Sequence, residues 1–341
     1  PDLRQPGLSI DAYWEESMTA LPRRKFLRLT AAAAALPILP GIGHADNYPS
    51  RPVHLVAPYP PGAGPDIIAR LIAQWLSERL GQQVIVDDRP GASSNIGTEA
   101  VAHAAPDGYT LLTTVSTNAV NATLYKKLNF NFRHDLVPVA GVGSTPFVFV
   151  ANPSFPPKTV TDLIAYAKAN PGRVNFATQG VGSGPHVAAE LLEMMTTTKL
   201  VHVPYKTNYI TDLIGGQIPL AVSPIAQIIE FVRDGRLRAI AVTTAKRSEA
   251  LPDVPAIAEF EPGYAAVGWY GVCAPNGTSA DVIGILAPAV VAAGSDATFK
   301  SRLMTLGVEP MPLNTAEFGK FIGDEIDKWA KVIEFADIRV D

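Results

Sequence analysis

The sequence predicts an α/β fold in which helices cover both faces of a mainly parallel β-sheet. Short apolar runs rich in β-branched residues alternate with segments of helical periodicity, and turns rich in glycine and proline separate them. The 341 residues are 47% hydrophobic and 18% charged, which is ordinary for a globular protein and provides enough apolar material for two cores. We therefore expect two α/β domains.

The first 45 residues have the organisation of an export signal that follows a short upstream extension. A basic stretch at residues 23–28 precedes an apolar run at residues 29–42 and then Gly43-His44-Ala45. The apolar run is about 14 residues long and contains two prolines, so it is too short to span a membrane. The basic stretch resembles a twin-arginine (Tat) signal, with an ordinary Sec signal as the alternative. We expect cleavage near Ala45 and a periplasmic protein.

The first strand–turn–helix unit begins with an apolar strand at residues 53–57 and ends with a helix that runs to residue 80. Between them, residues 58–66 (PYPPGAGPD) combine prolines, which fix φ, with glycines, which permit a sharp turn. A helix that begins at such a turn presents unpaired N–H groups at the positive end of its dipole, which suits an anion. A purely structural turn is the alternative. We expect this turn to form half of a carboxylate site.

Two more strands extend the sheet of the first domain. Apolar runs at residues 84–88 and 109–114 are bounded by turn residues and flank a helix expected at 95–104. Open α/β sheets bind ligands beyond the carboxyl ends of their strands. Polar residues near those ends are therefore expected to line the site, and they are Ser116, Thr117, Asn118 and, before a later strand, Thr145.

A second strand–turn–helix unit follows in the other domain. A strand at residues 174–178 leads into residues 179–186 (QGVGSGPH), and an apolar helix then runs to residue 195. The strand, the glycine turn and the helix thus recur, and we expect the recurrence to be one of structure without repetition of sequence. Two such units facing each other across a cleft would present two helix N-termini to one ligand.

The remaining segments show the same two periodicities. Thr159 is expected to cap the N-terminus of one helix, and Asp162, in the first turn of that helix, is expected to interact favourably with the helix dipole. Because the strand at 269–274 is expected to return to the first domain, residues 46–146 with 266–341 are assigned to domain 1 and residues 147–265 to domain 2. The other expected strands are residues 147–151, 201–206, 218–222 and 236–244, and the other expected helices are residues 160–169, 225–233, 281–293, 296–306 and 315–335, with a short helix that ends at 213.

Composition and motifs argue against several classes of function. The net charge of −4, without a basic cluster in the body of the chain, argues against nucleic-acid binding. Cys273 is the only cysteine, and its apolar surroundings in the sequence predict a buried core residue rather than a nucleophile. Neither a nucleophile elbow nor a metal-ligand spacing is present, so we expect neither enzymatic activity nor a metal or other cofactor.

Several stretches of the sequence resemble one known family. The resemblance extends in the same order over residues 48–335, and its stretches are APYPPGAGPDI at 57–67, DRPGA at 88–92 with NIG at 95–97, APDGY at 105–109, GS at 182–183 with His186, HVPYK at 202–206, GGQ at 215–217, AKR at 245–247 and LPDVP at 251–255. On these motifs the chain is similar to the solute receptors of tripartite tricarboxylate transporters, the Bug or TctC-like extracytoplasmic binding proteins.

The resemblance implies a type II periplasmic-binding-protein fold, with two α/β domains and a ligand cleft between them. It also implies a receptor for a carboxylate, often a dicarboxylate, that delivers its ligand to a permease with one large and one small membrane subunit. The carboxylate would be held by backbone amides and hydroxyls of two facing loops. By position these loops are Tyr59, Pro60, Pro61, Gly62, Ala63, Gly64 and Asp66, and Gln179, Gly180, Gly182, Ser183 and His186.

Two departures from the family pattern are relevant to binding. Ala63 replaces a usual glycine, which is tolerable where φ is negative. Residues 207–210 (TNYI) replace a usual glycine-rich run after Lys206, and we expect this loop to affect ligand choice. Asp66 is expected to cap its helix or hold a water network, and a neutral His186 to donate to the loop or the ligand, with a structural role as the alternative. Tyr205 is expected at the distal wall of the cleft.

The sequence leaves the function open between three classes. The leading hypothesis is a receptor that supplies a small carboxylate to a transporter. A receptor that presents its ligand to a membrane sensor kinase would need the same cleft, and an enzyme is the third and least supported class. The sequence does not identify the carboxylate, because malate-like, adipate-like, amino-acid and aromatic carboxylates all suit the first loop.

Overall fold

The structure is a computed structural model that describes residues 48–205 and 208–340. The expected export signal, together with Lys206 and Thr207, lies outside the described residues. The strands are β1 (Val53–Ala57), β2 (Val84–Asp88), β3 (Thr110–Val115), β4 (Leu136–Ala151), β5 (Asn175–Thr178), β6 (Val201–Pro204), β7 (Leu220–Pro224), β8 (Arg238–Val242), β9 (Val267–Pro275) and β10 (Glu309–Pro310). The helices are α1 (Gly64–Leu80), α2 (Asn95–Ala102), α3 (Ser116–Leu124), α4 (Val160–Ala169), α5 (Gly184–Thr196), α6 (Ile210–Ile214), α7 (Ile225–Arg233), α8 (Ala280–Ala293), α9 (Ala297–Thr305) and α10 (Thr315–Ala336).

The two ends of the sheet are parallel, as predicted, but its centre is antiparallel. The strand order is β2-β1-β3-β9-β4-β7-β5-β6, and β8 and β10 also pair with β4. The β1–β2, β1–β3, β5–β6 and β5–β7 pairs are parallel, whereas β9 runs antiparallel to both β3 and β4. The prediction of a mainly parallel sheet therefore needs correction at its centre, where β4 and β9 extend between the two parallel groups.

The first strand shows why an uninterrupted apolar run predicts a strand that is covered on both faces. Val53, Leu55 and Ala57 pack into the same core as Ile68 of α1. Val56, which points to the opposite face because side chains alternate along a strand, belongs to a second core. Helices therefore cover both faces of β1, as the alternation of strands and helices predicts.

The second core extends under both parallel groups of strands. It includes Val120 of α3, Val187 of α5 and Trp329 of α10, and all three side chains are buried. Helix α10 packs against α3 and α5. The carboxylate of Glu325 accepts hydrogen bonds from the indole N–H groups of Trp329 (3.0 Å) and Trp269 (3.1 Å), which ties α10 to β9. One continuous hydrophobic core therefore packs against both ends of the sheet.

Strand β4 is 16 residues long, but the sequence predicts only its second part. The first part was not predicted because residues 136–146 contain several glycines and prolines, which are depleted in most strands. Here the glycines permit close packing: a Cβ at Gly141 would lie 2.9 Å from the carbonyl oxygen of Met311, and one at Gly143 would lie 3.0 Å from that of Glu309. The segment before α10 passes directly over these two positions.

Most predicted elements are found within two residues of their expected bounds. The Oγ1 atom of Thr159 accepts from the Asp162 N–H group (3.1 Å) at the start of α4, and Cys273 is buried in β9, so both of these predictions are confirmed. Helix α3 was not predicted, because Ser, Thr and Asn make up much of it and these residues favour caps and turns. In the described part of the chain no single helix is long and apolar enough to cross a membrane. Taken together, α8 and α9 have the required length and apolar composition, but they are bent by 69° relative to each other.

Candidate functional site

A cavity of about 350 Å³ lies where the carboxyl ends of the parallel strands meet the antiparallel centre of the sheet. The segments that follow β1, β2, β3 and β5, together with the last residue of β7, all contribute to its wall, as expected for a ligand site in an open α/β sheet. Its size falls within the range of small-molecule sites. None of the side chains that line it is charged.

The turns that begin α1 and α5 have the same local geometry. The first turn (residues 62–66) has the sequence Gly-Ala-Gly-Pro-Asp, and the second turn (residues 182–186) has Gly-Ser-Gly-Pro-His. The opening glycines have φ of +81° and +74°, and the N-cap residues that follow have φ, ψ of −70°, 155° and −65°, 155°. The negative φ belongs to Ala63, so this departure from the family pattern causes no strain. The recurrence therefore includes a Gly-X-Gly-Pro repeat, which corrects our expectation that the sequence does not repeat.

In each turn the third helical residue bonds back to the opening glycine. The N–H group of Gly62 donates to Oδ2 of Asp66 (2.7 Å), and that of Gly182 donates to Nδ1 of His186 (3.0 Å). These bonds satisfy the glycine amides within the turns. The N–H groups of Gly64, Asp66 and Gly184 have no acceptor among the described residues, so both helix N-termini retain unpaired donors, and of these three residues Gly184 lines the cavity.

Arg70 compensates the negative charge of Asp66. Its Nε lies 2.8 Å from Oδ1 of Asp66, and its Nη2 donates to Oδ2 of Asp88 (2.7 Å). Burial alone would raise the pKa of Asp66, but the hydrogen bond from Gly62, the ion pair with Arg70 and the interaction with Asp88 hold the pKa below its ordinary value. Asp66 is thus an ionised, internally paired residue of the turn, consistent with a structural role at the helix start rather than direct contact with an anion.

The stacked imidazoles of His186 and His202 pack beside the second turn. The rings of His186 and His202 lie 3.7 Å apart at 16°, and Nε2 of His202 is 2.7 Å from Oγ1 of Thr178. Burial lowers the pKa of His186 to about 4, and burial together with His186 lowers that of His202 to about 3. Both rings are therefore neutral at neutral pH. Because Nδ1 of His186 accepts from Gly182, its proton is on Nε2, 3.3 Å from Oε1 of Glu190.

The structure brings together only some of the residues that the sequence predicts for the site. Those that line the cavity are Tyr59, Ser116, Thr117, Thr145, Gln179, Gly182 and Ser183. The others do not line it, and they are Pro60, Pro61, Gly62, Ala63, Gly64, Asp66, Asn118, Gly180, His186 and Tyr205. Asn118 is fully hydrogen-bonded within the protein, whereas Tyr205 donates to Asp212 (2.8 Å) beside α6. Of residues 207–210, Tyr209 is buried in the core, where its hydroxyl donates to Ser223 (2.7 Å).

Other lining residues were missed by sequence reasoning. They are Pro65, Ser93, Val115, Asn121, Leu124, Phe147, Val181, Gly184, Pro185, Pro224, Gly268, Trp269 and Tyr270. Four of them could have been found: Ser93 lies in the loop after β2, where the strand-end argument applies, and Pro65, Gly184 and Pro185 belong to the Gly-X-Gly-Pro repeat. Asn121 and Leu124 lie on the unpredicted helix α3, and nothing local in the sequence indicates that β9 reaches the site.

Ser93 lies in a strained turn that α3 holds in place. Ala92, Ser93 and Ser94 have φ of 46°, 52° and 78°, a left-handed run that non-glycine residues rarely adopt. The Nδ2 atom of Asn121 donates to the carbonyl oxygen of Ser93 (2.6 Å), and that of Asn118 donates to Oγ of Ser94 (3.1 Å). Such strain persists where the surrounding structure fixes it, and it is concentrated at functional sites.

Comparison with known proteins identifies the relatives of this chain. The sequence profile described as "Tripartite tricarboxylate transporter family receptor" matches residues 68–338. The protein BugT of Bordetella pertussis is 37% identical over 294 residues, which are 85% of this chain and 90% of BugT.

Two solved structures with bound ligands have the same fold. Rpa4515 of R. palustris, solved with adipate, superposes with a TM-score of 0.72 at 33% identity and covers 86% of this chain and 99% of its own. MatC (Rpa3494) of Rhodopseudomonas palustris, with bound malate, superposes with a TM-score of 0.69 at 29% identity and covers 84% of this chain and 100% of its own.

Proposed function

Because the chain belongs to the tripartite tricarboxylate transporter receptor family, we propose that it captures a small carboxylate and delivers it to the membrane permease of such a transporter. Its type II periplasmic-binding-protein fold, with two α/β domains, is that of its structural relatives. The family consists of receptors, so the prediction that the chain is not an enzyme is confirmed.

The observation that carries the proposal is the pair of matching turns. The first turn reaches the cavity through Pro65 and the second through Gly182, Ser183, Gly184 and Pro185. Each retains N–H donors without an acceptor among the described residues: that of Gly184 lies in the cavity wall, whereas those of Gly64 and Asp66 belong to residues next to the lining Pro65. A carboxylate between them would accept hydrogen bonds at the positive ends of two helix dipoles. Micromolar affinity requires about 8 kcal/mol, and a few hydrogen bonds to a charged group, at about 1.5–3 kcal/mol each, are of that order. A cationic side chain in the cavity is not needed.

We propose that the ligand is a dicarboxylate. The support is the cavity volume of about 350 Å³ and the adipate and malate named for the two structural relatives. The polar residues outside the turns would bind the second carboxylate, with Ser93, Ser116 and Thr117 as the candidate hydroxyl donors. The hydroxyl of Thr117 is already 3.1 Å from that of Tyr59, and a ligand oxygen would join this pair.

Uptake is the proposed role because the family description names a transporter. The receptor would work in the periplasm, after an export signal has been removed near Ala45. Its partners would be the large and small membrane subunits of the permease. A receptor for a sensor kinase would have the same cleft, but no observation favours that function.

We also propose that residues 46–146 with 266–341, and residues 147–265, close on the ligand as two rigid bodies. A contact across the cleft supports this proposal: a Cβ at Gly182 would lie 2.4 Å from Cδ2 of Leu124, so the second turn is in close contact with α3. Closure would exclude water around the hydrogen bonds and strengthen them.

The proposal is tested by a thermal-shift screen of mature protein against carboxylates, matched amides and neutral sugars. Dicarboxylates should raise the melting temperature, because a ligand that binds only the folded state adds to its stability. If neutral solutes stabilised the protein and carboxylates did not, the proposed function would be refuted. A strain that lacks this protein should lose uptake of the same carboxylate, and unchanged uptake would exclude the transport role.

A further inference from the structure

Helix α5, which begins at the second turn, carries two glutamates that have no part in the carboxylate site described above. Glu190 and Glu193 are three residues apart, so their side chains lie on the same face of the helix, one turn from each other. Glu193 is buried, and the side chain of Glu190 is only 14% exposed. Acidic side chains are rarely buried to this extent unless they are paired.

Neither glutamate forms an ion pair with a cation in the described part of the chain. Oε1 of Glu190 lies 3.3 Å from Nε2 of the neutral His186 ring, and Oε2 of Glu193 accepts from the Leu200 N–H group (2.8 Å). Burial without a counter-charge favours the protonated form and raises the pKa of each carboxyl from 4.5 to about 7, with Glu190 adding to the effect on Glu193. Both carboxyls therefore exchange protons near neutral pH.

The elements packed against α5 contribute few other charges to this face. Lys199 precedes β6, is exposed, and offsets only part of the effect of burial on Glu193. The charged residues of α10 that are not exposed, Glu325 and Lys328, pair with each other, and α3, β7 and β9 contain no residue that is charged at neutral pH. The remaining titratable groups beside α5 are uncharged, and they are His202, which stacks on His186, and Tyr264, which donates to the carbonyl oxygen of Ala188.

The proposed ligand carboxylate lies at the N-terminus of this same helix. Gly184 begins α5 and lines the cavity, and Glu190 follows six residues later, about 9 Å along the axis at 1.5 Å per residue. Side chains in a helix point back toward its N-terminus, which shortens this separation. One imidazole connects the two places, because His186 accepts from the lining Gly182 through Nδ1 and faces Glu190 through Nε2.

We propose that Glu190 is a proton-binding site coupled to the ligand site, and that it takes up a proton when a carboxylate binds at the second turn. This inference rests on the proposed carboxylate function and adds a regulation of the same site. The proton is then a second ligand, and by linkage each of the two ligands strengthens the binding of the other.

The direction of the pH dependence follows from the charges. Two negative charges about 9 Å apart in a protein repel each other enough to raise the pKa of Glu190 by about one pH unit when the ligand is bound. The bound protein thus keeps its proton between about pH 7 and pH 8, where the free protein loses it. Affinity should be highest below pH 7 and should fall as the pH rises through this range.

Calorimetry of the mature protein counts the protons that accompany binding. The probe is the carboxylate that raises the melting temperature most in the thermal-shift screen, with malate and adipate among those tested. At pH 7.5, titrations in two buffers of different ionisation enthalpy should show uptake of about half a proton for each ligand bound. The dissociation constant should be about five- to tenfold larger at pH 9 than at pH 6.5, a range in which simple carboxylates stay ionised.

Two matched glutamine variants show which carboxyl takes up the proton. Glu190→Gln retains an oxygen that can accept from Nε2 of His186 but cannot titrate, so proton uptake should fall nearly to zero and the change in affinity with pH to about twofold or less. Glu193→Gln, one turn farther from the ligand, should retain at least half of the proton uptake. A merely structural role of Glu190 would leave the proton uptake unchanged.

Three outcomes would overturn the proposal. The first is wild-type binding without proton uptake, and the second is uptake that persists in Glu190→Gln, because another group would then bind the proton. The third is affinity that rises with pH, since ionised Glu190 would then favour the bound turn through His186. In each of these cases the carboxylate still binds, whereas failure of every carboxylate in the thermal-shift screen would refute the proposed function, and this inference with it.

Discussion

The two turns begin their helices with glycines at equivalent positions, Gly64 and Gly184, and replacement of each by alanine should have opposite effects on stability. The residues share the same place in the Gly-X-Gly-Pro sequence, and neither has a positive φ. Their surroundings differ. A Cβ at Gly64 would meet only the Tyr270 hydroxyl, at 3.7 Å, whereas a Cβ at Gly184 would lie 2.6 Å from Cζ of Phe147.

The expected magnitudes follow from these distances. Carbon atoms in ordinary contact are about 3.5–4.0 Å apart, so the Phe147 ring would have to move by roughly 1 Å. The ring is buried and also lies close to Gly268, where a Cβ would be 3.3 Å away, so it has little room to move. Overpacking of this kind should make Gly184→Ala less stable by about 1–3 kcal/mol. Gly64→Ala should gain about 0.4–1 kcal/mol, because alanine restricts the unfolded chain.

Thermal unfolding of the ligand-free mature protein checks this prediction. For a domain of this size, 1 kcal/mol corresponds to about 2–4 °C, so the two variants should differ by several degrees, with Gly64→Ala the higher. Replacing the Phe147 ring by the smaller leucine side chain should relieve the clash. The double variant Gly184→Ala, Phe147→Leu should therefore lose about 1 kcal/mol less of its free energy of unfolding than the two single variants lose in total. Equal melting temperatures for the two single variants, or purely additive effects in the double variant, would refute the steric argument.

Three further predictions concern charge and capping. Asp66→Ala and His186→Ala each remove the acceptor of the N–H group of an opening glycine, so each should lower the free energy of unfolding in urea by about 1–2 kcal/mol. An unchanged urea midpoint of unfolding would contradict the contribution of these hydrogen bonds. Burial raises the pKa of Glu190 from 4.5 to about 7, so the folded state loses stability as the pH rises through this range. The variant Glu190→Gln should therefore be more stable than wild type by about 1–2 kcal/mol at pH 8 and equally stable at pH 4.5. A gain in stability that does not depend on pH would exclude this cause. Thr159→Ala should cost about 1 kcal/mol in urea unfolding through loss of the α4 cap, with ligand affinity unchanged in calorimetry.

The elements that depend on local patterns could be predicted from the sequence. The alternation of apolar strands and amphipathic helices gives the α/β class, and helix α7 begins and ends where the pattern predicts, at Ile225–Arg233. The expectation that turns 58–66 and 179–186 flank one ligand site stays a prediction, although both contribute residues to the cavity. Strand ends and helix starts have local sequence signatures, which is why these features could be found.

The features that depend on distant partners could not be predicted. The first part of β4 contains glycines because the segment before α10 passes over it, and no residue near Gly141 in the sequence indicates this. The orientation of the Asn121 amide is fixed by acceptors that are distant in the sequence, the carbonyl oxygen of Ser93 in the turn after β2 and Oδ1 of Asn95 at the start of α2. A sequence shows that an asparagine is polar, but only the fold shows which of its atoms lacks a partner.

The position of β9 in the sheet has a consequence for biosynthesis. This strand, Val267–Pro275, lies between β3 and β4, which are both made much earlier. A nascent chain that has not reached β9 therefore has two facing strand edges whose backbone groups cannot pair with each other, and exposed edges of this kind favour aggregation. The N-terminal parallel strands can form early, but the complete sheet is a late event in synthesis. Chaperone dependence should accordingly be greatest for truncated chains that end just before residue 267.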